Sequence, residues 1–185
     1  MRIGLVRHFK VLKEFPLGIK MVSQSQILEW FNEYDKADIE VSNTQLGNID
    51  WDVCYTSDLH RAKKTANSIF NGQIIENEDL REIKFYPIFK KDIRLPLIFW
   101  PVLIRLAWYF NHKSQIKHKI ESLKKIKDFV EEILSSQLEN VLIVSHAALI
   151  LYLRKELIRC GFRGPRFRKA RNGRLYVYEL ITHRL

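Results

Sequence analysis

Two histidines lie where apolar, strand-like stretches of this sequence end. His8 follows Arg7 directly after the residues IGLV, and His146 follows the residues VLIVS. A neutral imidazole nitrogen can attack phosphorus and so divide a difficult transfer into two easier steps. Arg7 and Arg61 could hold phosphoryl oxygens through the planar, paired N–H groups that lysine lacks. These residue types therefore suit phosphoryl transfer through a histidine.

Two side chains would complete such a catalytic set. His146 could donate a hydrogen bond to the phosphoryl oxygens, which carry charge in the transition state. Glu82 could protonate the departing oxygen if its surroundings raise its pKa toward neutrality. Each residue alone has a structural alternative, because strand-end histidines are commonly structural and surface arginines and glutamates are commonly solvated. Their shared placement at or just past strand ends favours a functional role.

The elements that must position these residues alternate between strand and helix. Apolar stretches predict strands at 1–6, 51–57 and 173–182, and a strand, a bend at Ser145–His146 and a helix within 140–158. Helical spacing of apolar residues predicts further helices at 23–34, 58–70 and 119–134. In the helix at 58–70 we expect a basic outer face and an inward face formed by Leu59, Ala62, Ala66 and Ile69.

This alternation predicts an α/β fold, a three-layer sandwich whose mostly parallel central sheet is covered by helices on both faces. Ligands of such sheets bind beyond the carboxyl ends of the strands. If the strand before His8 and the strand before His146 are neighbours, the two histidines share a cleft.

Composition limits the classes of protein to consider. The chain has 185 residues, two cysteines and a formal net charge of +10, and residues 159–174 hold seven Lys/Arg and no acid. We expect one domain over 1–185, since this length suffices for a sizeable core. The few cysteines and the absence of a signal-peptide pattern predict a cytoplasmic protein. The basic charge favours anionic partners without choosing among them.

An apolar segment at about 93–112 fits the alternation poorly. Pro96, Pro101, Arg94 and Arg105 interrupt it, and its longest uncharged run, 95–104, is shorter than a membrane span requires. We expect no transmembrane segment and interpret 93–112 as an insertion that serves as core or lid. Insertion into a membrane interface, helped by its arginines and by the 159–174 run, is the less favoured alternative.

Four motifs in order resemble the histidine phosphatase superfamily, also called phosphoglycerate mutase-like: LVRHFK, YTSDLHRAKKTA, LREI and VLIVSHAAL. The second is the most specific, and together they span residues 1–158. The resemblance implies that His8 accepts the phosphoryl group and that Glu82 is the proton donor. It further implies a phosphate pocket of Arg7, Arg61 and His146. No metal or cofactor is expected, because the arginines and the second histidine supply the positive charge.

The sequence departs from the family's pattern around the first histidine. Phe9 replaces a usual glycine that lets backbone approach phosphate closely, so the ring could narrow the pocket. Lys10 replaces an acid, Glu14 replaces an asparagine, and Ala147 replaces the glycine after the second histidine. We therefore expect an intact catalytic set with altered substrate walls.

The expected activity is that of a phosphoric monoester hydrolase of the histidine acid phosphatase type, acting on a small phosphorylated substrate through a phosphohistidine. Two alternatives share the fold: a phosphoglycerate mutase-type phosphotransferase, and a catalytically weak phosphate- or anion-binding protein. The pocket needs Glu82 only for catalysis, which favours an enzyme. No nucleic-acid motif accompanies the basic charge, so we expect no nucleic-acid partner. A monomer and a homodimer both remain open.

Overall fold

The computed structural model describes residues 1–13 and 20–181. Its strands are β1 (Arg2–Arg7), β2 (Met21–Ser23), β3 (Val53–Thr56), β4 (Ile74–Glu76), β5 (Arg94–Pro96), β6 (Asn140–Ser145), β7 (Phe162–Arg163) and β8 (Leu175–Leu180). Its helices are α1 (Gln24–Lys36), α2 (His60–Ile69), α3 (Phe99–Tyr109), α4 (Ile116–Ser135) and α5 (Ala147–Arg159), with a short 3-10 turn at Glu78–Leu80.

Among the described residues the central sheet has six strands in the order β4-β3-β6-β1-β8-β7. Strands β4, β3, β6 and β1 run parallel, and β8 pairs antiparallel with β1. The predicted mostly parallel sheet is confirmed. Strand β1 is the direct neighbour of β6, in a register that sets Arg7 opposite Ser145. The carboxyl ends of these two strands therefore lie side by side.

Helices cover both faces of this sheet, as predicted. On one face α4 and α5 pack against Ile3, Leu5 and Ile143, which belong to the largest apolar cluster of the molecule. On the other face α2 packs against a separate cluster that includes Val6 and Val144. Successive side chains of a strand point to opposite faces, so the continuous apolar runs of β1 and β6 supply both clusters.

Helix α1 lies beside α2 and begins at a capping box. The Ser23 hydroxyl accepts a hydrogen bond from the Gln26 backbone, and the Gln26 side chain accepts one from the Ser23 backbone. Ser23 is therefore the N-cap residue of this helix. This cap fixes where α1 starts.

The apolar segment at 93–112 forms β5, which pairs with β2, and then helix α3. The inner side of this segment is buried at Leu97 and Trp100, and the Trp100 indole donates to the Val22 carbonyl at 3.0 Å. Its outer side stays exposed at Phe99, Tyr109 and several other apolar residues. Within the described chain, no helix is both long and apolar enough to cross a bilayer.

Candidate active site

His8 and His146 lie together at the carboxyl ends of β1 and β6. The His8 backbone N–H donates to the Ser145 carbonyl at 2.9 Å, and the two imidazole ring centroids are 5.1 Å apart. Both side chains are buried, at 2% and 0% relative exposure. The expectation that the two histidines lie together is confirmed, because the two strands are neighbours. That they share a cleft open to a ligand stays a prediction.

A backbone carbonyl orients the His8 ring. His8 Nδ1 lies 2.6 Å from the Phe9 carbonyl oxygen. A carbonyl oxygen can only accept a hydrogen bond, so Nδ1 is the protonated nitrogen of the neutral ring. Nε2 therefore carries the free lone pair, which is the property required of a nucleophile.

The His8 pKa is lowered to about 3. Burial is the largest cause, and the Arg61 charge and then the Arg7 charge lower it further, against the opposing hydrogen bond to Phe9. Desolvation is thus the main reason that the ring is neutral, and the two arginines add to its effect. Burial and the same charges hold the His146 pKa well below its usual value. Both rings are consequently neutral at pH 7.

Arg61, the second residue of α2, is buried although the sequence placed it on a basic outer face. Its relative exposure is 2%, and it donates to Asp35 Oδ1 at 2.8 Å. Its guanidinium also lies over the Tyr34 ring, 5.3 Å from the centroid. The last turn of α1 thus covers Arg61, and this contact between two helices is not visible in the pattern of α2 alone.

Arg7, the last residue of β1, is held by the basic segment near the carboxyl terminus. Its Nη1 donates to the Ala170 carbonyl at 3.1 Å, and its own carbonyl accepts from the Gly173 backbone at 2.8 Å. The Asn172 side chain donates to the His8 carbonyl at 2.7 Å. The 159–174 run therefore lies along the catalytic strand end, with its backbone and Asn172 supporting the Arg7–His8 pair.

Glu82 follows the short 3-10 turn and reaches the beginning of α5. Its carboxylate accepts from the backbone N–H groups of Ala148 at 3.3 Å and Leu149 at 3.2 Å. Burial raises the Glu82 pKa above its usual value, although these hydrogen bonds, one from Ile83 and the Arg61 charge oppose the increase. A carboxyl group with a raised pKa can hold a proton closer to neutral pH than an exposed one can.

Several buried nitrogen atoms in this cluster have no hydrogen-bond partner within the described chain. They are Nε of Arg7, Nε of Arg61 and both ring nitrogens of His146. A buried N–H group without a partner costs stability, so such groups are rare unless a ligand satisfies them. Two guanidinium groups and an imidazole are the kinds of donor that suit a tetrahedral oxyanion.

The Phe9 ring lies in an apolar cluster with Val11 and Ile39 at 1% relative exposure. A side chain on Gly173, whose φ is +64°, would collide with this ring. The expectation that Phe9 narrows the pocket is not supported, because the ring fills a core site. The Phe9 backbone N–H still approaches the site and donates to Thr65 Oγ1 at 2.9 Å.

We expect Phe9→Gly to lower the free energy of unfolding by about 3 to 5 kcal/mol, because it empties a buried aromatic site. Turnover per folded molecule should not increase. Urea unfolding measures the first effect and steady-state kinetics the second. Leu12→Gly, at a residue that is 59% exposed, is the matched control and should cost far less. A faster enzyme with unchanged stability would show instead that the ring obstructs the site.

The other departures from the expected pattern lie at the edge of the site or outside it. Lys10 is exposed and pairs with Glu40 at 3.7 Å, and Ala147 is the first residue of α5. Glu14 lies outside the described residues. Lys10 and Ala147 make no hydrogen bond to the side chains of the central five residues within the described chain.

A groove of about 190 Å³ leads away from Glu82 between the 3-10 turn and α4. Tyr86 and His118 stack in its wall with ring centroids 3.4 Å apart. Gln115 fixes Tyr86 by donating to its carbonyl at 2.6 Å. In the part of the chain that the structure describes, no three His, Cys, Asp or Glu side chains are placed to hold a metal ion.

Three residues of the site were not predicted from the sequence: Asp35, Thr65 and Asn172. Thr65 belongs to the motif YTSDLHRAKKTA and accepts from the Phe9 backbone, so the motif itself contained that signal. Asn172 belongs to the Asn172–Gly173 turn, which the sequence indicated only as a turn. Asp35 carries no local signal, because its partner Arg61 is 26 residues away.

Comparison with known proteins agrees with this arrangement. A model of the histidine phosphatase superfamily, branch 1, matches residues 32–184, a range that includes Arg61, Glu82 and His146 and begins after Arg7 and His8. A curated Hydrogenobacter thermophilus protein, provisionally named phosphoserine phosphatase 2, is 31% identical over 111 residues, which cover 54% of this chain and 52% of that protein. The chain thus spans about half the length of the curated relative it matches.

Two solved structures share the fold. The alpha-ribazole phosphatase from Shigella flexneri has a TM-score of 0.56 at 17% identity, over 96% of this chain and 89% of that chain. An Escherichia coli K-12 protein, provisionally described as an alpha-ribazole-5'-P phosphatase, has a TM-score of 0.51 at 19% identity, over 85% and 79% of the two chains. At these identities the similarity establishes the fold alone.

Proposed function

Since this chain belongs to the histidine phosphatase superfamily, we propose that it hydrolyses phosphomonoesters without a metal ion, through a phosphohistidine at His8. The observation that carries this proposal is the set of buried, unpartnered nitrogens on Arg7, Arg61 and His146, which lie beside a neutral His8. A phosphoryl group bound there would satisfy these nitrogens and lie next to the His8 lone pair.

In the first step His8 Nε2 attacks phosphorus and the bond between phosphorus and the ester oxygen breaks. Arg7 and Arg61 bind the nonbridging oxygens, and His146 donates to one of them. Protonated Glu82 gives its proton to the departing oxygen, so the product leaves as a neutral alcohol rather than as an alkoxide. The raised pKa of Glu82 supports this role because it increases the protonated fraction.

In the second step a water molecule attacks the phosphohistidine. Glu82, now a carboxylate, accepts the proton from the water, and the bond between phosphorus and Nε2 breaks. Inorganic phosphate leaves, His8 returns to its neutral form and Glu82 is protonated again. The hydrogen bond from Nδ1 to the Phe9 carbonyl keeps the ring oriented through both steps. The positive charge that binds phosphate comes from the two arginines throughout.

A small phosphomonoester is the proposed substrate. The names of the relatives refer to phosphoserine and to alpha-ribazole phosphate, and both are monoesters of an alcohol. The groove beyond Glu82, with charged residues and the Tyr86–His118 stack in its walls, suits a polar leaving group of modest size.

Phosphate release from a panel of phosphomonoesters, measured with EDTA present, tests this proposal. The panel includes phosphoserine, a ribonucleoside 5'-phosphate, phosphoglycerate and p-nitrophenyl phosphate. We expect turnover that EDTA leaves unchanged, and the ranking within the panel identifies the substrate class. No release from any ester, together with vanadate binding that depends on Arg7 and Arg61, would contradict the proposal and favour a phosphate-binding protein.

A further inference from the structure

The outer side of α3 carries a stripe of exposed apolar side chains. Phe99, Val102, Leu106 and Tyr109 are spaced by three, four and three residues, so they share one face of the helix. Their relative exposures range from 45% for Leu106 to 74% for Tyr109, and the next residue, Phe110, is 72% exposed. An exposed apolar stripe of this length on a helix marks an interaction surface rather than ordinary surface variation.

The stripe faces solvent because the opposite side of α3 is fixed at both ends. Near its beginning the Trp100 indole donates to the Val22 carbonyl, and the Trp100 ring is fully buried. Near its end the Trp108 indole donates to the Tyr152 hydroxyl of α5 at 2.5 Å. Rotation of the helix to bury the stripe would break both hydrogen bonds and expose Trp100.

The first turns of α4 extend this apolar surface. Ile116 and Ile120, one helical turn apart, are 38% and 62% exposed. We call the exposed apolar residues of α3 and the start of α4 the α3 surface: Phe99, Val102, Leu106, Tyr109, Phe110, Ile116 and Ile120. Phenylalanine and tyrosine are prominent among them, and aromatic side chains are favoured at the boundary between lipid and water.

Positive charge surrounds the α3 surface. The sequence contains no acidic residue between Asp92 and Glu121, whereas Arg94, Arg105 and Lys113 are exposed in that interval. None of these three basic residues forms an ion pair with any part of the chain that the structure describes. A basic rim around an apolar helix face is complementary to anionic lipid headgroups above acyl chains.

We propose that the α3 surface docks on an anionic lipid bilayer, with the apolar stripe at the level of the acyl chains and the basic rim among the headgroups. This inference goes beyond the proposed hydrolysis and does not depend on it. A second copy of the chain fits the surface less well, because each copy has a formal net charge of +10 and the basic rims would face each other.

Helix α3 is connected to the active-site elements through its inner side. Tyr152, which anchors the end of α3, is six residues after His146, about 9 Å along α5. Gln115, between α3 and α4, fixes Tyr86 in the groove wall. The inner side of α3, opposite the apolar stripe, is therefore tied to the elements that form the groove.

Co-sedimentation of the full chain with vesicles tests the proposal. Vesicles of phosphatidylcholine with phosphatidylserine should bind the wild type, vesicles of phosphatidylcholine alone should bind it more weakly, and added salt should weaken the binding. Replacing Leu106 and Phe110 together by glutamate should lower the partition coefficient between vesicles and water by more than about tenfold, because two apolar side chains then no longer enter the lipid. Arg105→Gln should lower it by about fivefold.

The matched control is Ile158→Glu, at a helical apolar residue that is 46% exposed at the far end of α5. It should bind vesicles as the wild type does. Equal binding by the Leu106→Glu/Phe110→Glu variant would overturn the proposal, as would a wild type that does not bind anionic vesicles. Sedimentation velocity without lipid should show a monomer, and a dimer that the same two substitutions dissociate would assign the surface to a second copy instead.

Discussion

His8→Gln should lower the rate of phosphate release on the order of 10⁴-fold or more, because it removes the nitrogen that attacks phosphorus. Glutamine keeps an amide near the position of the ring and can still meet the Phe9 carbonyl, so the strand end should retain its shape. The wild type, mixed rapidly with radiolabelled substrate and quenched in alkali, should retain label that acid releases, as a phosphohistidine does. The variant should retain none.

His60→Gln is the matched control for this experiment. His60 is one residue from Arg61, but its side chain is 55% exposed and lies 3.5 Å from Asp38 on the surface. This variant should release phosphate and form the phosphoenzyme as the wild type does. A His8→Gln enzyme that melts normally and retains turnover within tenfold of the wild type would exclude His8 as the nucleophile.

Glu82→Gln should slow hydrolysis of an alkyl phosphate such as phosphoserine by about 10²- to 10⁴-fold, because the departing oxygen then leaves without a proton. The first turnover of p-nitrophenyl phosphate should be far less affected, since nitrophenolate is a stable anion. Rapid-mixing experiments should therefore show a burst of nitrophenolate, followed by slow turnover, because the second step still needs Glu82 as a base.

The pH dependence of kcat/KM tests the role of Glu82 independently. The first step requires its protonated form, so kcat/KM of the wild type for phosphoserine should fall as pH rises through the raised pKa of this carboxyl. Glu82→Gln should remove that decrease. Glu78→Gln, at a nearby acid whose side chain is 74% exposed, is the control and should retain it. Equal slowing of both esters in the first turnover would show that Glu82 does not act as the acid.

The burial of its polar side chains distinguishes this site from one that lies on the protein surface. His8, Arg61 and His146 have relative exposures of 2% or less, so bulk solvent is excluded from all three side chains. Charge interactions are stronger where water is excluded. The same burial that keeps His8 neutral therefore also strengthens the attraction of Arg61 for an anion.

Local patterns in the sequence were sufficient to predict the central architecture. The apolar runs of β1 and β6 and the helical spacing in α1, α2 and α4 depend on residues within a few positions of each other. The rule that ligands bind at the carboxyl ends of parallel strands then placed His8 and His146 at one edge. The prediction held because β1 and β6 are neighbours in the sheet.

Contacts between distant parts of the chain could not be predicted from local sequence patterns. The pairing of β2 with β5 joins segments about seventy residues apart, and each strand is only three residues long, too short for a recognisable period. The sequence also did not predict which side of α3 is exposed, because its apolar residues fit a core helix as well as an exposed one. Two indole hydrogen bonds decide which side is buried.

The sequence by itself thus determined the α/β layers and indicated five candidate site residues, since strand-end position and motif spacing are local properties. Tertiary structure alone decided which partners contact those residues and how far burial shifts the pKa of His8. Asp35 and Tyr34 cover Arg61, Asn172 supports His8, and burial lowers the His8 pKa to about 3. These effects depend on solvent exclusion and on partners brought together only by folding, which no local pattern encodes.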